Sequence, residues 1–277
     1  MRKFLLYISV LAIAIVSVSC NNQLRRIEKS NNFEKKLDYA NMLFKKKKYN
    51  TAITLYTDLV QVYKGTDKFE PMYYNFAYCS YYVKDYVQAA FQFKNYLDLF
   101  PNSPRAVEID YMQAYCYYKQ SPKVSLDQTN TMKAIAAMQT FINNYPTAEK
   151  VAEANLVIEL CRRKLEKKEF NSAELYYNLG FYRAAGIAFK NLMRSYPDSD
   201  KSDGYKVMAI RSYYNYAKNS VPEKQKERYA TVLDEYLDFA DHYPNSKLKA
   251  DAEKLYTLAQ NNIKSLENEQ IKAKSDQ

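Results

Sequence analysis

The sequence is poor in residues that bend a chain and in residues that most often carry catalysis. Its 277 residues include 4 Gly, 8 Pro, 1 His and no Trp, where average usage would supply about 19 Gly and about 14 Pro. So few glycines exclude a Gly-rich phosphate cradle, a Rossmann crossover or the many tight turns of a β-sandwich, all of which need backbone free to take positive φ. A lone histidine excludes a His-rich metal cluster and leaves little scope for His-based catalysis, so no cofactor and no metal are expected. Cysteine is scarce too: Cys20 aside, only Cys79, Cys116 and Cys161 occur, with no CxxC spacing. They are expected as buried small apolar side chains rather than a disulfide framework. What is abundant is Ala, Leu, Lys, Glu and 29 Tyr. That balance points to an all-α protein.

The first residues read MRK, then the apolar run FLLYISVLAIAIVSV (4–18), then Ser19-Cys20-Asn21-Asn22. A short cationic segment, an apolar core and a small-residue site make residues 1–19 a secretory signal peptide. The run falls short of the roughly 20 residues of a comfortable membrane span. Cys20 after small Ser19 resembles the lipobox of bacterial lipoproteins, which implies acylation of Cys20 as a membrane anchor. Ser17 departs from the usual Leu. An uncleaved anchor helix, or an ordinary signal with an incidental cysteine, are the alternatives. In lipoproteins of this type, Asn21 implies the outer membrane, and NNQLRR lacks the acidic run of surface-exported forms, so the periplasmic face is expected. Loss of Arg2 and Lys3 lowers the net charge from +10 to +8. With that address, the positive charge is not read as a nucleic-acid site.

The remainder is organised by an internal repeat. An aromatic-Pro step recurs at Phe100-Pro101, Tyr145-Pro146, Tyr196-Pro197 and Tyr243-Pro244. Twelve residues ahead of each proline stands a compact residue (Ala89, Ala134, Ala185, Val232), and eight ahead a large apolar one (Phe93, Met138, Phe189, Tyr236). Ala52 and Tyr56 repeat that spacing upstream, while Ala40, Ala77 and Ala173 lie twelve residues before Ala52, Ala89 and Ala185. Small residues at these points let two antiparallel helices approach closely, and proline stops the second one. This is the tetratricopeptide pattern, and five copies are expected in an α-solenoid.

Successive copies are 37, 45, 51 and 47 residues apart rather than 34. The surplus is assigned to Gly65-Thr66-Asp67 and to polar loops at 120–128 and 219–228. The expected organisation is a signal peptide (1–19), a lipidated linker (20–32) and repeats one to three (33–146). A long connecting helix, repeats four and five and a capping helix follow (147–264), then a polar tail (265–277). Residues 147–179 contain no Gly or Pro and keep a helical apolar pattern, so one continuous helix is expected there, with a break near Lys167-Lys168 as the alternative.

The first helices of the repeats carry a tyrosine face: Tyr74, Tyr78, Tyr81 and Tyr82, then Tyr111, Tyr115 and Tyr118. With Lys45 and Lys119 nearby, this face is a candidate groove for extended peptides, since tyrosine offers rigid area and a hydroxyl at low entropy cost. Tyr78, Tyr81, Tyr115 and Tyr118 are its foremost members; packing between repeats is the competing use of the same rings. The Lys45–Lys48 run reads as a solvated helix end, His242 as a helix-end residue, and the Asp234-Glu235 pair as solvent-facing.

A lipobox joined to this ordered set of repeats and inserts resembles the BamD family of outer-membrane β-barrel assembly lipoproteins. The resemblance is carried by FAYCSYYVKDYVQAAFQFKNYLDLFPNSPRAVEIDYMQAYCYY (76–118), by Asp127-Gln128-Thr129 within 121–146, and by LEKKEFNSAELYYNLGFYRAAGIAFKNLMRSYPDS (165–199). It implies a non-enzymatic scaffold that binds the C-terminal segments of unfolded barrel precursors. It also implies docking on the barrel-forming subunit and contact with accessory subunits, with Glu174, Tyr177 and Arg183 as docking candidates by location. A generic periplasmic tetratricopeptide adaptor and a glycan-binding lipoprotein are the other readings; the first usually carries an N-terminal coiled coil, the second tryptophan platforms.

Overall fold

Helices follow one another from the first hairpin onward in a computed structural model that describes residues 24–275. The signal segment and Cys20 lie outside the described residues. In chain order the helices are α1 (Phe33–Lys45), α2 (Tyr49–Tyr63), α3 (Phe69–Tyr82), α4 (Tyr86–Leu99), α5 (Ala106–Lys119) and α6 (Thr129–Asn144). Then come α7 (Val151–Asn178), α8 (Tyr182–Ser195), α9 (Ser202–Lys218), α10 (Pro222–His242) and α11 (Lys249–Ser275). No strand occurs among the described residues, and none of their helices is long and apolar enough to cross a membrane. The fold is all-α, of the tetratricopeptide-solenoid class.

Two compact units divide between Cys161 and Arg162, within α7. In the first, α1/α2, α3/α4 and α5/α6 form consecutive hairpins, with the start of α7 packed after them through Ala154, Val157 and Cys161. In the second, the end of α7 pairs with α8, α9 with α10, and α11 covers the last pair through Ala252 and Ala259. α7 itself runs unbroken through Lys167-Lys168.

Each hairpin is drawn together where the sequence is small. Ala40, Ala52, Ala77, Ala89, Ala134, Ala173, Ala185 and Val232 have no exposed surface, and neither have Tyr56, Phe93, Met138 and Phe189 beside them. The alanines set the interhelical distance and the large residues fill the next hole. Cys79, Cys116 and Cys161 are buried free thiols; burial pushes Cys79 and Cys116 up to about 12, which makes both inert.

The turns inside three hairpins share one geometry. Lys47, Lys84 and Gly180 take φ of 58°, 66° and 80° at equivalent positions. The following amides close the helix end: Lys48 N–H donates to Leu43 O (2.9 Å), Asp85 to Ser80 O (3.0 Å) and Phe181 to Tyr176 O (2.9 Å). This is a left-handed helix cap, normally a glycine position. The lysine run thus includes a strained cap residue as well as solvated charge.

The second helices end on another shared cap. Phe100, Tyr145, Tyr196 and Tyr243 have φ near −130° (−131°, −133°, −131° and −128°), because the proline after each disfavours the helical region. Two residues past three of these prolines stands a serine that works in both directions. Ser103 Oγ accepts from Arg105 N–H (3.1 Å) and donates to Glu70 (2.7 Å), which also accepts from Tyr96 (2.6 Å). Ser199 accepts from Lys201 N–H (3.2 Å) and donates to Glu166, which Tyr205 also engages (2.7 Å). Ser246 accepts from Leu248 N–H and donates to Asp203 (2.6 Å). The hydroxyls of Tyr96 and Ser103 hold the Glu70 carboxyl below its ordinary range. In the third hairpin Ala148 occupies the serine position.

One expected loop and the expected polar tail differ. Residues 222–228 are the start of α10, with Pro222 at the first helical position, where its missing N–H costs nothing. The capping helix continues to Ser275, because Ile263 and Leu266 still pack on the core and Lys226 pairs with Glu267 at 2.8 Å. The loop at 120–128 is held from inside by Gln128, 4% exposed, whose amide donates to Lys123 O (2.9 Å) and Leu126 O (3.0 Å) while its Oε1 accepts from Thr131 (2.7 Å).

Glycine usually weakens a helical protein, but Lys84→Gly is expected to raise stability by about 1 kcal/mol by removing a left-handed Cβ. Urea unfolding with an unchanged m-value and a higher midpoint would bear this out; a lower midpoint would contradict it.

Candidate functional site

The tyrosines of the first unit form two stacked sets that meet. On α3, Tyr74 and Tyr78 lie 4.6 Å apart, Tyr78 and Tyr82 5.8 Å, and Tyr81 and Tyr82 5.6 Å between ring centroids. Tyr82 stacks on Tyr49 at 4.7 Å, and Phe44 closes against both. On α5, Tyr111 stacks on Tyr115 (5.7 Å), and Tyr115 tilts against Tyr118 (5.5 Å). The junction is Tyr81, Tyr86 and Tyr115. The ring of Tyr81 meets that of Tyr86 at 5.7 Å, and Lys119 Nζ sits 5.7 Å over Tyr86 and 5.9 Å over Tyr115.

The rings differ in what they leave to solvent. Tyr78 is 7% exposed and Tyr111 3%, so both belong to the packing between helices. Phe93 meets Tyr78 edge-on at 5.2 Å, and Phe141 meets Tyr111 at 5.5 Å. The Tyr78 hydroxyl donates to Glu108 of α5, as does that of Tyr74 at 2.9 Å. Burial first, then the Glu108 carboxylate, pushes the Tyr74 phenol up to about 12 and Tyr78 higher still. Arg105 lies 4.6 Å over Tyr74 and completes this corner. Tyr81, Tyr115 and Tyr118 are half-buried, and Tyr82 is 46% exposed. These four, with Tyr49, Tyr86 and Lys119, form the accessible aromatic surface. Lys45 is exposed at the end of α1 and makes no ion pair with the described residues.

Sequence reasoning missed Glu108 and Arg105, which tie α5 to the α3 tyrosines. The signal was the spacing: Tyr74 and Glu108 are 34 residues apart, as are Asn41 and Asn75, whose side chains also bond (3.3 Å).

In the second unit, Glu174 is exposed on α7. Tyr177 is half-buried, accepting from Asn215 Nδ2 at 2.9 Å and meeting Tyr182 at 5.4 Å. Arg183 is exposed and opens onto a cleft between α8, α9 and α10. The Asp234-Glu235 pair needs correction. Asp234 is exposed, but Glu235 is buried and paired with Lys206 and Lys190, while Lys206 also engages Asp238. A lysine 29 residues away supplies the charge that lets Glu235 be buried. His242 caps α10, with Nδ1 2.9 Å from the Asp238 carbonyl. No cluster of three His, Cys, Asp or Glu suited to a metal occurs among the described residues.

Packing and accessible tyrosines are expected to separate in stability. Tyr78→Ala should cost about 3–5 kcal/mol, as for a fully buried aromatic, and Tyr82→Ala about 1 kcal/mol or less. Equal losses in denaturant unfolding would refute the division.

Residues 37–228 match the YfiO family model, described as outer membrane lipoprotein. An outer membrane protein assembly factor BamD from Caulobacter vibrioides is 26% identical over 136 residues, covering 49% of this chain and 45% of that protein. The match thus spans less than half the length of that relative. A putative outer membrane protein assembly factor BamD from Aquifex aeolicus is 27% identical over 243 residues, covering 86% of this chain and 68% of that protein. Among solved structures, the TPR2AB-domain:pHSP90-complex of yeast Sti1 covers 82% of this chain and 98% of its own, at 14% identity and a TM-score of 0.40.

Proposed function

The chain belongs to the YfiO family of outer membrane lipoproteins, and we propose that it is a non-enzymatic scaffold for the assembly of outer-membrane β-barrel proteins. The family match over 37–228 carries this reading, and both named relatives are assembly factors. Cys20 is the lipid attachment point, holding the repeats at the periplasmic face of the outer membrane. The first unit receives unfolded barrel precursors through their aromatic C-terminal segments. Tyr81, Tyr82, Tyr115 and Tyr118 are the contact surface: their rings are partly accessible and held by neighbours, so binding need not first order them. Lys119 beside them adds a cation for a terminal carboxylate. Tyr74, Tyr78 and Tyr111 support that surface from behind. The second unit docks on the barrel-forming subunit around Glu174, Tyr177 and Arg183, and accessory subunits join the same assembly. Nucleic acid is not a partner.

Affinity purification of the mature chain from detergent-solubilised outer membrane should bring down the barrel-forming subunit; its absence under conditions that keep the chain folded sinks the assembly reading. For the aromatic surface, Tyr81→Ala, Tyr82→Ala, Tyr115→Ala and Tyr118→Ala combined should weaken binding of a peptide ending in Phe by tenfold or more, with helicity intact by circular dichroism. Unchanged affinity would remove the surface from the reading while leaving the docking role open.

A further inference from the structure

A cleft of about 430 Å³ lies between α8, α9 and α10 of the second unit. α8 contributes Arg183 and Ile187, α9 contributes Tyr213 and Tyr216, and α10 contributes Lys224, Glu227 and Arg228. Its charges do not cancel. Lys224 is matched internally by Glu227 at 3.2 Å. Arg183 pairs with no carboxylate among the described residues. Arg228 is fixed without a counter-charge: its guanidinium lies 4.1 Å over the Tyr216 ring, and it donates to Ser220 Oγ. Two guanidinium groups therefore line one concave site in which the carboxylate of Glu227 is paired with Lys224. The start of α10 has no side-chain cap, so its amide end adds positive potential on the Lys224 side.

The lining is mostly polar, with two tyrosine rings and Ile187 set among the charges. Gly186 has its Cα against the Tyr213 ring, where an added Cβ would fall 2.8 Å from ring carbons. Glycine thus lets Tyr213 lie close on α8, while Arg228 holds Tyr216 from the other side. Ile187, 45% exposed, gives an aliphatic edge.

We propose that this cleft binds acidic peptide segments, taking one Asp or Glu carboxylate between Arg183 and Arg228 and an adjacent apolar side chain against Tyr213 and Ile187. A planar guanidinium donates two parallel N–H···O bonds to a carboxylate. A flat lipid surface fits less well, because the guanidinium groups line a concave cleft. Arg183 is shared with the docking surface proposed above, but peptide binding is measured with no assembly subunit present, so either reading can fail without the other.

The test uses the full mature chain in detergent and fluorescence anisotropy with a labelled peptide alternating Glu with Phe and Leu. Its Gln counterpart and phosphatidylcholine vesicles containing phosphatidylglycerol are the comparisons. The Glu peptide should bind at least tenfold more tightly than the Gln peptide, and added salt should weaken it. Arg183→Gln, at an exposed position, should weaken binding about tenfold without altering helicity. Arg183→Gln with Arg228→Gln should abolish it, and Gly186→Ala should reduce it by displacing Tyr213. Equal affinity for the Glu and Gln peptides, or full affinity in the Arg183→Gln variant, overturns the proposal. So does Arg183-dependent binding confined to the anionic vesicles, which would assign the cleft to lipid.

Discussion

The close approach of helices at alanine is the constraint on which the rest depends. Ala40 against Ala52, Ala77 against Ala89 and Ala173 against Ala185 leave no exposed surface. A larger residue at any of them would push the hairpin apart, and overpacking of a tight contact costs about 1–3 kcal/mol. Fixing one face of each first helix in this way decides what the other faces can do. On α3 the alanine at 77 commits its face to α4, and the tyrosines at 74, 78, 81 and 82 flank that contact. They meet one another, Phe93 and Tyr86 of α4, Tyr49 of α2 and Glu108 of α5.

The aromatic-Pro-x-Ser closure explains a second part of the composition. Proline ends the helix by disfavouring helical backbone at the residue before it, and the serine then ties the new chain direction to a carboxylate on an earlier first helix. Glu70, Glu166 and Asp203 are that carboxylate in three hairpins. Each is a buried or half-buried acceptor, so leaving it unmatched would cost more than the bond contributes. Tyrosines divide along this line. Tyr96 and Tyr205 place hydroxyls on these carboxylates and are structural, whereas Tyr82 and Tyr118 have no such duty.

What was legible in the sequence is what depends on short spacing. The alanine pairs, the large residues four positions on and the aromatic-Pro stops all lie within one hairpin, and periodicity reports them directly. The burial of Tyr78 was not legible, because Tyr78 and Tyr82 sit on the same helix and differ through Phe93 and Glu108, which come from other helices. Glu235 read as solvent-facing for the same reason: Lys206, its partner, is on α9. Lys47 and Lys84 hid a left-handed cap behind an unremarkable residue type, and only Gly180, at the equivalent place, marked the conformation. The polar stretch 219–228 is expected as a loop, although its Pro222 suits the first helical position equally well.

The same hairpin, repeated, ends with different surfaces in the two units because the carboxylates are spent differently. In the first unit Glu70 and Glu108 engage tyrosine hydroxyls, and Glu153 pairs with Lys150. Acids and phenols there satisfy one another, and Arg105 and Lys119 lie over rings, so aromatic area dominates what is left accessible. In the second unit Glu166 is committed to Ser199 and Tyr205, and Glu235 to Lys206 and Lys190. Those acids are then unavailable to Arg183 and Arg228, which face a cleft whose carboxylate is already matched by Lys224. A basic chain gains a localised positive site in this way without any cluster of basic residues in its sequence, because what decides the local charge is which acids the core has consumed.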